Sequence, residues 1–266
     1  MVLKSLESLL RSERRSHLFL INKAWRKHRR FCVRCHSTKI YRLSDKRYRC
    51  ARCGYTFHDF TRRWIGELNL SARQWLWVLK LFELEVPAAR IAKEVGISYP
   101  TALKAVYLIR RAITQSNGEV YCPGKAPDEE LPSEEKGRIF AVLERNGKVA
   151  VCIPKDVNSE AVVRDQARLA GQGSIVFTGP IGAYDALIMR RRWLPPYAAR
   201  RAHGRISFDG LEGFWSFARQ RLGAFHGTSD RELLFFLNEL AFRYNHRNEE
   251  LFDSLAGLMT QIMPNS

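Results

Sequence analysis

The chain has 266 residues, enough for two or three compact units, and 45% of them are hydrophobic, which excludes wholesale disorder. Forty-four Lys and Arg stand against 27 Asp and Glu, a formal charge of +17, so the protein attracts polyanions, nucleic acid first among them. No stretch of about 18 uninterrupted apolar residues exists and the opening MVLKSLESLLRSERR lacks a secretory core, so neither a membrane span nor export is expected.

Residues 1–30 place leucines at helical spacing among Lys4, Arg11, Arg14, Arg15, Lys23, Arg26, Lys27, Arg29 and Arg30. That pattern predicts a basic helical arm of one or two amphipathic helices. Residues 31–60 carry two Cys-x-x-Cys pairs, Cys32/Cys35 and Cys50/Cys53, separated by fourteen residues, while Cys122 and Cys152 stand alone. Paired spacing in a chain without a signal favours metal ligation over disulfides and points to the cytoplasm. Four thiolates so placed suit a tetrahedral, structural Zn2+ with no open position, and Gly54 permits the tight turn after the second pair. His36 and His58 are surplus to that set. Tyr48, Tyr55 and Phe57 are expected to pack beside it.

Residues 68–114 read as helical, with Ser71 as an N-cap. Within them, PAARIAKEVGISYPTALKAVYLIRRAI (87–113) has an apolar face at Ala88, Ile91, Ala92 and Val95, a break at Gly96, and a cap at Ser98. A second helix follows, with Thr101, Leu103, Val106, Ile109 and Ile113 along it. A short helix, a Gly-containing turn and a second helix are the sequence form of a helix-turn-helix, whose second helix enters the major groove. Tyr99, Thr101 and Lys104 fall where base edges are reached, and Arg110 and Arg111 where phosphates are.

Residues 115–137 read as a linker region, including the polar stretch PGKAPDEELPSEEKG (123–137), and the family resemblance given below places a first strand in it. Residues 138–266 form the last domain. RIFAVLERNGKVAVCIP (138–154) predicts a hairpin around Asn146-Gly147. A helix over 158–170, a strand SIVFT (174–178) and mostly helical sequence from about Ser207 to Met263 follow. Phe214, Trp215, Phe217, Leu222 and Phe225 recur at helical spacing, which predicts core rather than a base-stacking platform. Arg190–Arg192 with Arg200, Arg201 and Arg205, and likewise Arg219 and Arg221, are either DNA contacts or solvated surface.

The order of basic helix, four-cysteine ribbon, helix-turn-helix and strand-bearing domain, with GLEGFWSFARQRLGAFHG (210–227) and ELAFRYNHR (239–247), resembles bacterial insertion-sequence transposases of the ISXO type. The resemblance runs from about Phe31 to Met259. It implies an α+β chain: an N-terminal zinc ribbon and helix-turn-helix, then a ribonuclease-H-like α/β domain. It also implies a DDE acidic set holding two metal ions for in-line attack on a phosphodiester. Residue by residue, Glu212 falls on the third acidic position. Gly179, after the strand SIVF, occupies the second, and the stretch GEVYCPG (118–124), expected to hold the first at the end of a strand, contains no Asp. Asp209 departs from the Asn expected there.

The reading is thus a transposase-like protein of insertion-sequence origin lacking strand-transfer catalysis, either a derived regulator or a decayed element. Its partner is double-stranded DNA, with self-association left open and a nucleoid location expected. Zn2+ is structural, and Mg2+ enters only if the catalytic site is intact. Two alternatives remain: an active DDE transposase rebuilt on displaced carboxylates such as Asp185 or Asp128, and a zinc-ribbon module that contacts protein.

Overall fold

A computed structural model of the protein describes residues 3–25, 29–121, 139–145, 148–152, 174–178, 214, 217, 218, 220, 221 and 230–264. The chain divides into two compact units, Met1–Ala112 together with Glu249–Ser266, and Ile113–Asn248.

In the first unit, helices α1 (Leu3–Leu10) and α2 (Glu13–Ala24) meet at Ser12, whose hydroxyl accepts from the Arg15 backbone N–H and caps α2. The two helices are the amphipathic pair expected at the N-terminus. Their apolar side is core rather than a free arm: Leu6, Leu10, Leu20, Ile21 and Trp25 are all buried. The ribbon strands β1 (Ile40–Arg42), β2 (Tyr48–Cys50) and β3 (Thr56–Phe57) form one antiparallel sheet in that order, with Tyr41 opposite Arg49. Helix α3 (Ala72–Glu83) begins at Ser71 in a capping box with Gln74. The Glu13 carboxylate from α2 accepts from the next two N–H groups, Ala72 at 2.5 Å and Arg73 at 3.2 Å. A negative group there suits the positive end of the α3 dipole and ties α2 to α3.

Helix α4 (Ala88–Val95) ends at Gly96, which takes φ +69° and ψ 41°, the left-handed conformation that lets the chain turn after a helix. Helix α5 (Tyr99–Tyr121) follows, its first turn closed by the Ser98 hydroxyl accepting from the Thr101 N–H. The helix runs further than the sequence suggested. Residues 118–121, expected as part of a strand, are its last turn. Asn117 costs at most about 0.7 kcal/mol in a helix and Gly118 about 1 kcal/mol, too little to stop a long one. The helix is described through Tyr121.

The unit is closed by the chain's other end. Helix α7 (Leu251–Met259) packs on α2 and α3, burying Phe252, Leu255, Ala256 and Met259 completely. Glu83 at the end of α3 accepts from the first-turn Phe252 N–H at 2.9 Å and pairs with Lys80 at 2.5 Å. Residues 251–266, assigned from sequence to the last domain, therefore belong with the N-terminal unit. Nothing in their composition announces this, because an apolar helix does not name the surface it will cover.

The second unit contains β4 (Ile139–Arg145), β5 (Lys148–Cys152) and β6 (Ser174–Thr178), in the sheet order β5-β4-β6. Arg145 pairs with Lys148, a register that leaves two residues between the paired strands; Asn146 and Gly147, where the sequence placed the turn, lie outside the described residues. Both described pairings are antiparallel. Helix α6 (Asp230–Asn245; α6 precedes α7 in the chain) packs on β5. At its last residue the Asn245 amide accepts from the Val149 N–H at 2.6 Å and donates to the Val149 carbonyl at 2.7 Å. A side chain thus satisfies two backbone groups of strand β5 as a neighbouring strand would. Phe214 and Ala218 are fully buried, and the Phe214 ring meets Tyr244 edge-on at 5.5 Å. The core reading of Phe214 holds; Trp215, Leu222 and Phe225 lie outside the described residues.

Candidate metal centre and nucleic-acid interface

The two cysteine pairs are brought together by a repeated local geometry. The N–H four residues after the first cysteine of each pair donates back to that cysteine's carbonyl, His36 to Cys32 at 2.8 Å and Gly54 to Cys50 at 3.0 Å. Both residues have positive φ, 56° at His36 and 70° at Gly54. The histidine that was surplus in the sequence thus closes the first turn as Gly54 closes the second, with its ring stacked on Phe31 at 5.6 Å. Histidine is among the residues that tolerate this conformation best after glycine.

The four sulfurs then lie within 4.8 Å of one another. Cys32 and Cys53 are 3.6 Å apart, as are Cys35 and Cys50. A tetrahedral zinc thiolate with Zn–S of about 2.3 Å needs sulfur–sulfur edges of about 3.8 Å, so the set fits with little movement. Among the described residues this is the only group of His, Cys, Asp and Glu placed to hold a metal. The electrostatics suit a cation. The Cys53 backbone N–H foremost, then that of Arg52, draws the Cys50 thiol down to about 6. At Cys35 the Ser37 N–H favours the thiolate, but desolvation and the three neighbouring sulfurs outweigh it and push the thiol up to about 12. Four thiolates converging without a metal cannot all ionise; Zn2+ removes that conflict and displaces the protons, so its affinity falls as pH falls. The aromatic shell is as expected, with Tyr48 and Tyr55 flanking the buried Phe57 ring at 5.8 and 6.3 Å.

One structural neighbour of the ribbon was missed. Arg63 is buried beside the ribbon, its guanidinium 4.3 Å from the Trp25 ring centroid and its Nε donating to the Asp59 carbonyl at 3.1 Å. It also donates to the Thr260 carbonyl, and Met263 N–H donates to the Arg62 carbonyl at 2.8 Å. Burial lowers the Arg63 pKa to about 10, with Asp59 opposing the shift. An arginine among many carries no sequence signal that it will turn inward.

On α5 the inward face is Ala102, Ala105, Val106, Leu108, Ile109, Ala112 and Ile113. The outward side of its first two turns is Tyr99, Pro100, Leu103 and Lys104. Leu103 was placed by sequence among the helix's apolar positions, yet its side chain is 44% exposed. It stands one position off the buried stripe, and an apolar residue at such an edge reads as core from sequence. Of the positions expected at base edges, Tyr99 and Lys104 are exposed, while the Thr101 hydroxyl is engaged with Ser98 at 2.7 Å. Arg110 is half-buried. Arg111 lies with its guanidinium 5.3 Å from the Trp64 ring centroid, so part of its role is packing.

Glu212, Gly179, Asp185, Asp128 and Asp209 lie outside the described residues, as do the arginines 190–192, 200, 201, 205 and 219. The stretch expected to bear the first acidic position is described through Tyr121. Its one carboxylate, Glu119, sits on the last turn of α5 and not at a strand end. Arg221 is described: its guanidinium lies 3.8 Å from the Phe217 ring and donates to the Phe217 carbonyl.

A four-thiolate centre on a three-stranded ribbon, joined to a helical pair and a separate sheet-bearing unit, defines a zinc-ribbon protein of modular build. Residues 11–56 match the transposase zinc-ribbon domain, and residues 114–245 match the ISXO2-like transposase domain, the second match ending at Asn245, the residue that clamps β5. The chain belongs to the ISXO-type insertion-sequence transposase family. No curated protein and no solved structure matches it. Among the described residues, no helix is long and apolar enough to cross a membrane.

Proposed function

We propose that this transposase-family chain binds duplex DNA through a helix-turn-helix formed by α4 and α5, and that it does not carry out strand transfer. The observation that carries the binding reading is the outward side of α5 at Tyr99–Lys104, following a three-residue turn, in a chain of net charge +17. Membership in a transposase family supports DNA as the partner. Loss of catalysis is supported by Gly179 at one acidic position and by helical backbone through Tyr121 at another. A glycine offers no ligand oxygen, and Glu212 alone cannot hold two divalent ions. The ribonuclease-H-like description of the second unit and a nucleoid location are part of the same proposal.

Binding should weaken steeply with salt, because each phosphate contact releases counterions. Titration of a labelled duplex at several salt concentrations measures this. Arg110→Ala should lower affinity for all sequences and reduce the log–log salt slope by about 1. Lys104→Ala should instead alter which sequences are preferred. Salt-independent binding, or variants indistinguishable from the parent, would rule out this interface.

A further inference from the structure

On the outer side of α5 the exposed residues are mostly not polar. Tyr99 is 52% exposed and Leu103 44% exposed, four residues apart and so adjacent on the same helical face, with Pro100 exposed between them. The inward stripe of the same helix is complete without them. A leucine and a tyrosine lie together on the helix's outer face, where they are available to an apolar group of a partner.

The occupant is selected by charge and position. Lys104 adjoins Leu103 on this face, the chain carries a large positive excess, and the residues occupy the first two turns of the helix. Those turns reach base edges when a second helix docks in the major groove. In that groove each base pair presents donors and acceptors, and thymine alone adds an apolar group, its C5-methyl. Within the same turn, the Thr101 hydroxyl is already engaged with Ser98.

We propose that Tyr99 and Leu103 read thymine C5-methyl groups, so that the preferred duplex of this protein contains thymines in the major groove facing α5. The inference rests on the DNA-binding reading above and names what that surface recognises. Lys104, a compact donor beside the apolar pair, reaches guanine O6 or N7 next to those thymines.

The test removes the methyl and nothing else. Duplexes enriched by the full-length zinc-loaded protein from a random-sequence pool are resynthesised with deoxyuridine in place of each thymine. Base pairing and groove hydrogen bonding are unchanged by that replacement. A buried methyl contributes about 0.8 kcal/mol, so affinity should fall about fourfold for each contacted thymine. In Leu103→Ala and Tyr99→Ala the parent duplex should bind more weakly, and the uracil duplex should lose no further affinity at the same position. Both side chains are exposed and alanine favours helix, so these variants keep the fold; circular dichroism and zinc content verify it. Equal affinity for thymine and uracil duplexes, with salt-dependent DNA binding intact, would overturn the proposal and leave the DNA-binding reading standing. Failure to retain any duplex from the pool would overturn both.

Discussion

Replacing Cys50 and Cys53 together by Ser should release the zinc and unfold the ribbon with the side chains packed on it. A structural zinc site contributes on the order of 10 kcal/mol of apparent binding energy to a small module, more than a ribbon of three short strands can supply otherwise. The loss spreads because Cys32, Cys50 and Phe57 share one buried cluster with Ile21, Val33 and Trp25. Helix α2 ends against that cluster, so its C-terminal turn should loosen too. Elemental analysis should find one zinc per parent chain and none in the double variant, whose near-ultraviolet dichroism should collapse. Full zinc retention by the double variant would show that other ligands hold the metal.

The second large effect is at the far end of the sequence. Deleting residues 251–266 should abolish folding of the N-terminal unit, ribbon included. Phe252, Leu255 and Met259 are each fully buried by α7, and burying such a side chain contributes about 2 kcal/mol. Three such losses approach the whole stability of a typical domain, about 5–15 kcal/mol. The deletion also leaves the Glu83 and Lys80 pair without the Phe252 N–H, and Arg63 without the Thr260 carbonyl. The point variant Phe252→Ala should cost about 3–5 kcal/mol and keep the fold at low temperature. Urea unfolding followed by tryptophan fluorescence reads both, since Trp25, Trp64 and Trp75 are buried in this unit. A truncated chain that unfolds cooperatively like the parent would refute the placement of α7.

The elements most legible in the sequence were those specified by local chemistry. Ser71 and Gln74 write a capping box, Gly96 writes the left-handed end of α4, and the two strands predicted on either side of Asn146-Gly147 pair up to Arg145 and Lys148. The Cys-x-x-Cys pairs write the metal site, because ligand geometry leaves little choice of spacing. What was illegible depends on distant partners. Helix α7 carries no mark of the unit it joins, and Arg63 turns inward only because Trp25, Asp59 and Thr260 surround it. The strand expected over residues 118–122 followed from family resemblance, whereas the backbone continues a helix already eighteen residues long at Ser116. Leu103 was misplaced by one helical position, and that error concealed the outward apolar pair. In the motif ELAFRYNHR, Asn245 holds the edge of β5 and Arg243 is buried in an ion pair with Glu239 at 2.8 Å.

The central claim is that this transposase-family chain holds DNA without cutting or joining it. The most direct measurement uses duplexes carrying the terminal sequences of its own element, incubated with the zinc-loaded protein and either Mg2+ or Mn2+. In-line attack on a phosphodiester needs carboxylates converging on a metal pair, with oxygens about 2.0–2.2 Å from each Mg2+. The account predicts retention of the duplex with no nicked or joined product, and a Glu212→Ala variant that behaves as the parent does. Metal-dependent nicking that disappears in Glu212→Ala would contradict it, and would show that displaced carboxylates, Asp185 or Asp128 first among them, had rebuilt the site.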